Sequence, residues 1–118
     1  MMTIGQEKDV LMCLYEAAYY KKSCELHYEG GRGNDVFLAA IHECYFAWDG
    51  TIGGILETAE IFCLEEGEAK MHRFHTLARK VEYLGSEAAK KREKNFSVFT
   101  EGQKAIDAIY EEIEANEE

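Results

Sequence analysis

Proline is absent from this 118-residue chain and tryptophan occurs once. Without proline no helix is forced to kink or stop from within, and β-branched residues are sparse beside Ala, Glu, Leu and Lys. That composition favours long uninterrupted helices over sheet. Cysteine is scarce and scattered: Cys13, Cys24, Cys44 and Cys63 form no Cys-x-x-Cys pair, so neither a zinc ribbon nor a thioredoxin-like redox motif is present. Nothing near Met1 resembles a signal peptide. The expectation is a cytoplasmic protein with free, mostly buried thiols. No apolar run approaches the roughly 18 residues needed to cross a bilayer, so no membrane association is expected.

What is present fits one helical domain. A chain of this length buries roughly two thirds of its unfolded surface, and its 47% apolar and 31% charged residues are ordinary for a helical globular protein. Net charge is −10, a field that repels nucleic acid and anionic membranes and favours basic partners. The charges are segregated. Residues 1–68 hold 13 acids and 4 bases, residues 69–95 hold 3 and 8, and residues 96–118 hold 7 and 1.

Periodicity predicts four helices, over about 4–28, 35–66, 68–94 and 101–115, in an antiparallel four-helix, bundle-like, all-α domain. Thr3 and Gln6 make a capping-box signal for the first. The glycines of Gly30-Gly31-Arg32-Gly33 end it in a loop, and Asn34 caps the second. With Trp48 as reference, Phe37, Ile41, Cys44, Tyr45, Ile52, Ile55, Leu56, Ala59, Phe62 and Cys63 share one broad stripe of the second helix. Phe46, Ile61 and Leu64 lie opposite, near Gly50, Gly53 and Gly54. A helix apolar on two sides has neighbours on two sides, which places this one at the centre of the assembly. Asp49-Gly50 is a turn dipeptide and could split it, but the stripe keeps phase across that point, so a continuous helix is expected. Gly67 is a helix stop, Gly85-Ser86 a candidate kink, and Asn95 and Thr100 are both candidate caps, Thr100 making a second capping box with Gln103. Inward residues are Phe74, Leu77, Ala78, Val81, Leu84 and Ala88 in the third helix, and Ile106, Ile109, Tyr110 and Ile113 in the fourth.

No catalytic set assembles from these spacings, and neither a metal nor a cofactor is expected. Cys24-x-x-His27 with His42-x-Cys44 has the ligand types for zinc, but helix positions two apart point about 160° away from each other. His72-x-x-His75, with Glu68 one turn earlier, faces solvent. Glu57-x-x-Glu60 has the spacing of a magnesium-binding pair, and in this it resembles all-α nucleotide pyrophosphohydrolases of the MazG type. That resemblance implies magnesium-dependent hydrolysis, but it covers these two residues alone. The second element, a later Glu-x-x-Asp, is missing, because Lys104 precedes Asp107 at that spacing. The glycine loop around Arg32 lacks the Lys-Ser/Thr ending of a phosphate-binding loop.

The remaining candidate is a basic stripe on the third helix, formed by Arg73, His75, Arg79, Lys80, Tyr83, Lys90 and Lys94. Arg73, His75, Arg79, Lys80 and Tyr83 are the expected partner-binding residues. The function expected is that of a small acidic protein-binding module, not an enzyme, that inhibits or adapts a nucleic-acid-binding complex by competing for its basic groove. In character it is similar to inhibitors carried by phages and other mobile elements, anti-CRISPR proteins among them, with no shared motif. The alternatives are a nucleotide or nucleic-acid binder using the basic helix, and the magnesium-dependent nucleotide pyrophosphohydrolase that the Glu57 and Glu60 resemblance implies. A homodimer is expected in each case, because the second helix offers more apolar and glycine surface than three companions cover.

Overall fold

A computed structural model describes residues 2–31, 33–91 and 95–117. Four helices follow in order, α1 (Ile4–Glu29), α2 (Asp35–Leu64), α3 (Glu68–Lys90) and α4 (Val98–Glu117), with no strand among the described residues. The third helix ends at Lys90 with Lys91 as its cap, short of the expected Lys94, and Arg32 and Lys94 lie outside the described residues.

The helix ends follow local chemistry. The Thr3 hydroxyl accepts from the Gln6 amide at 3.1 Å while the Gln6 side chain accepts from the Thr3 amide at 2.9 Å, closing the capping box. Asn34 caps α2 by accepting from the Phe37 amide at 2.9 Å. Gly67 turns the chain at φ +124, where a side chain would be strained. The fourth helix begins three residues before its expected start. Its cap is Ser97, whose hydroxyl accepts from the Thr100 amide at 3.3 Å, so Thr100 lies inside the helix and its expected capping box with Gln103 does not initiate it.

The chain runs up, down, up, down. Met2 donates to Glu66 at one end of the α1–α2 pair, while the Tyr28 and His42 rings meet at 5.5 Å at the other, so these helices are antiparallel. Arg73 lies beside Glu7 and Gly85 beside Ala18, so α3 runs parallel to α1. Tyr110 reaches Glu7 and Phe96 stacks on Tyr19, so α4 is antiparallel to α1. In such a bundle α1 and α3 occupy a diagonal, and here that diagonal is closed. A Cβ on Gly85 would stand 2.5 Å from the Tyr15 carbonyl oxygen and 3.2 Å from the Ala18 Cβ, so only glycine permits this approach. Closing one diagonal spreads the other: among the described residues α2 and α4 do not touch. The result is a flattened bundle of 53 × 29 × 17 Å. Its radius of gyration is 15.8 Å, against about 13.5 Å for a compact domain of this length.

This arrangement corrects the placement of the second helix. It is continuous through Gly50, Gly53 and Gly54 as its phase required, but the central helix is α1, which packs against all three others and buries Leu11, Leu14, Tyr15, Ala17, Ala18 and Tyr19. From α2 only Ile52, Ala59 and Cys63 are fully buried. The supposed second inner face is open: Phe46 is 57% exposed, Ile61 55% and Leu64 49%. Phe37 and Phe62, assigned to the inner stripe, are exposed as well. The physical reason is Gly85. By letting α3 settle onto α1, it removes the slot in which α2 would have had partners on both sides. Phe74, Leu77, Ala78 and Val81 from α3, with Ile106, Ile109 and Tyr110 from α4, complete the core, and Ile113 packs against it partly buried.

Candidate functional site

Glu7 is the one charged residue described within the core, 2% exposed. Its Oε1 accepts from the Arg73 guanidinium at 3.2 Å and from the Tyr110 hydroxyl at 3.0 Å, so one carboxylate ties α1, α3 and α4 together. A buried carboxylate is tolerated only when paired and hydrogen-bonded, and the two donors meet that demand. Burial raises the Tyr110 phenol well above its ordinary value, and the Glu7 charge adds to the effect. Cys63 lies nearby, its thiol also pushed up by burial and by Glu7. The cluster is a structural clamp with a surface-reaching arm, because the Arg73 side chain remains 40% exposed.

The five expected partner-binding residues are therefore not one free cationic face. Arg73 turns its tip inward to Glu7. His75 is held by Glu60, whose Oε1 lies 2.5 Å from Nδ1, and Arg79 Nε approaches His75 Nε2 at 3.5 Å. The ring thus stands between a carboxylate and a guanidinium. Lys80 faces Glu112 of α4 at 3.8 Å, with both side chains largely exposed. Tyr83 stands 62% exposed. Farther along, Lys90 pairs with Glu87 at 2.9 Å. Elsewhere Lys8 pairs with Asp107, Lys21 with Asp49, Lys22 with Glu25, Lys70 with Glu66, and Lys104 with Glu101. Most of the described lysines and arginines are thus matched to carboxylates of the same subunit, and the net charge of the chain is acidic.

The metal candidates separate. Among the described residues no three His, Cys, Asp or Glu side chains come together to hold an ion. His27 uses Nδ1 on the Ser23 carbonyl oxygen at 2.7 Å, while His42 packs its ring between Tyr28 and Phe46. Burial pushes the Cys24 thiol up, and the Cys44 thiol adds to it. Of the Glu57 and Glu60 pair, Glu57 points to solvent and Glu60 is engaged by His75.

One concavity among the described residues is not revealed by periodicity. A groove of about 840 Å³ runs between α1 and α2, lined by Met2, Val10 and Cys13 on one side and by Thr51, Gly54, Ile55, Thr58 and Phe62 on the other, with Gln6 and Asp9 at its polar edge. It opens because α2 has no neighbour on that side. A signal for it was present: Phe37, Ala40, Cys44, Ala47, Thr51, Gly54, Thr58 and Phe62 recur at three- and four-residue spacing with no charge among them. That line sits at the margin of the inner stripe and reads as its edge until the packing is known.

Fold and surface together define an all-α protein of four packed helices, flattened and acidic on its exterior, in which no described helix is long and apolar enough to cross a membrane. Comparison of the chain with protein-family models, with curated proteins and with solved structures finds no match.

Proposed function

We propose that this protein is a small acidic protein-binding module that works as a homodimer in the cytoplasm and engages a basic partner, as an inhibitor or adaptor of a nucleic-acid-binding complex. The observation that carries the reading is the internal pairing of its cations. With Arg73, Lys80, Lys90 and the lysines of α1 matched to carboxylates, the excess acids set the outer field, which attracts basic surfaces. Asp35, Glu43 and Glu57 lie exposed on α2, a helix without a lysine or arginine. Of the four thiols expected to be mostly buried only Cys63 is, and the surface thiols Cys13 and Cys44 suit a reducing compartment. The test is association with purified nucleic-acid-binding complexes at 50 and 300 mM salt. Binding that weakens strongly at the higher salt is expected, and absence of binding to every complex at low salt overturns the reading.

Tyr83 favours a second reading, in which α3 binds nucleotides or single-stranded nucleic acid. It is an exposed aromatic near Arg79 and Lys80, the combination that stacks bases and contacts phosphates. In that case Arg79→Glu with Lys80→Glu abolishes binding of a labelled oligonucleotide while the helical spectrum is unchanged. No binding by the native protein at low salt removes this alternative.

A further inference from the structure

We infer that the open face of α2 and the groove beside it form the seat of a second copy, with the two α2 helices packed antiparallel about a two-fold axis near residue 49. This rests on the self-association just proposed and specifies where it occurs. The first ground is area. A compact folded protein of 13.5 kDa exposes about 6,500 Å², whereas this chain exposes 7755 Å². The excess of roughly 1,200 Å² exceeds the roughly 800 Å² that each partner contributes to a standard interface.

The second ground is the composition of the uncovered face. Phe37 is 50% exposed and Phe62 58% exposed, one near each end of α2. Between them the exposed line is small and uncharged. Gly54 has nothing within 4 Å of where a Cβ would stand, so its cost to the helix is not offset by any close approach within the subunit. Such a glycine permits close approach from outside.

The third ground selects the occupant. A two-fold interface must be complementary to itself, and this line has bulk at both ends and little between. Turned end for end it still places an aromatic at each extremity. In the antiparallel register Phe37 of one copy faces Phe62 of the other, Cys44 faces Gly54, and Ala47 faces Thr51. The two helices come close along their small residues, and the phenylalanines close the ends. The partner's helix covers the mouth of the groove that Val10, Cys13 and Phe62 leave open. The line itself carries no charge, so apolar self-fit and not ion pairing is what it offers a partner, with Asp9 at the groove edge and the exposed Glu43 and Glu57 of α2 beside it.

The experiment is light scattering of the full chain at 50 µM with three sets of variants. The native protein is expected at twice the 13.5 kDa chain mass. Ala47→Glu and Thr58→Glu, each at an exposed position, are expected to give monomers with unchanged helical content. In a Cys13→Ser background, Gly54→Cys is expected to form an interchain disulfide with native Cys44 under mild oxidation, and adding Cys44→Ser to abolish it. A native monomer overturns self-association and this interface together. A dimer that survives both glutamate variants, or that fails to cross-link through position 54, overturns the interface while leaving dimerisation in place. Cross-linking of native Cys44 to itself marks a parallel pair and overturns the register. Because the cross-link is read without the glutamate variants, a variant that fails to fold does not shelter the proposal.

Discussion

Replacing Gly85 with alanine tests the feature that shapes the molecule. In an isolated helix the change is favourable by about 1 kcal/mol. Here the new methyl carbon would stand 2.5 Å from the Tyr15 carbonyl oxygen. A comfortable carbon–oxygen contact is about 3.3 Å, so α1 and α3 must separate by roughly 0.8 Å, and neither side can yield by a rotamer change because the obstacle is backbone. Overpacking of this kind costs about 1–3 kcal/mol. With the obstacle rigid the upper end applies, and subtracting the propensity gain leaves about 2 kcal/mol of net destabilisation. Unfolding entropy for a chain of this length is roughly 0.25 kcal/mol per kelvin, so Tm should fall by about 8 °C. The control is Gly53→Ala, where nothing lies within 4 Å of the new carbon. There the propensity gain stands alone, and Tm should rise by about 4 °C. Thermal melts followed by circular dichroism, at one fixed protein concentration, give both numbers. A Gly85→Ala protein as stable as the native one would refute the closed α1–α3 diagonal and the explanation of the exposed α2 face that follows from it.

Glu7→Ala leaves the Tyr110 hydroxyl and the inner end of Arg73 without their acceptor. A loss of about 2–3 kcal/mol is expected in urea unfolding, below the full cost of breaking a wholly buried pair because Arg73 is partly solvated. A variant within 0.5 kcal/mol of native would show that the clamp contributes little. Tyr110→Phe removes one donor and should cost about 1 kcal/mol, read the same way. The same phenol makes stability pH-dependent at the alkaline end. Its pKa is raised in the folded state above the ordinary value of 10.0, so between the two values the unfolded chain loses the proton first. Its contribution is complete below pH 10 and declines as pH climbs through the folded value. Melting temperature measured from pH 9 to 11.5 should fall more steeply for the native protein than for Tyr110→Phe, and parallel curves would contradict this.

Much of the architecture could be read residue by residue. The capping box at Thr3 and Gln6, the Asn34 cap, the Gly67 stop and the unbroken phase across Gly50 are local events. Each is decided by a few neighbouring side chains and by backbone geometry, and each appears in the structure. The inward residues of α3 and α4 were equally legible, because those helices carry one apolar face and a charged remainder, which leaves a single way to bury them. The start of α4 was not. The expected caps were Asn95 and Thr100, whereas Ser97 between them holds the Thr100 amide, and that choice depends on where the preceding chain delivers the helix.

Which helix stands in the middle was misread from periodicity, which put α2 there instead of α1. An apolar back face records only that something is covered, or that something is meant to be, and the residues of α2 look the same in either case. The decision was made by one contact between elements 70 residues apart in the chain, where Gly85 meets Tyr15 and Ala18. From the sequence Gly85 reads as a helix weakness, since nothing local reveals what lies against it. The same holds for Arg73: helical spacing gives the direction of its Cβ, whereas its guanidinium follows the buried charge of Glu7. The sequence alone thus determined the helices, their caps and the sign of the exterior, all properties of neighbours along the chain. Tertiary structure decided the closed diagonal, the open groove and the pairing of the cations, because each depends on distances between residues remote in sequence.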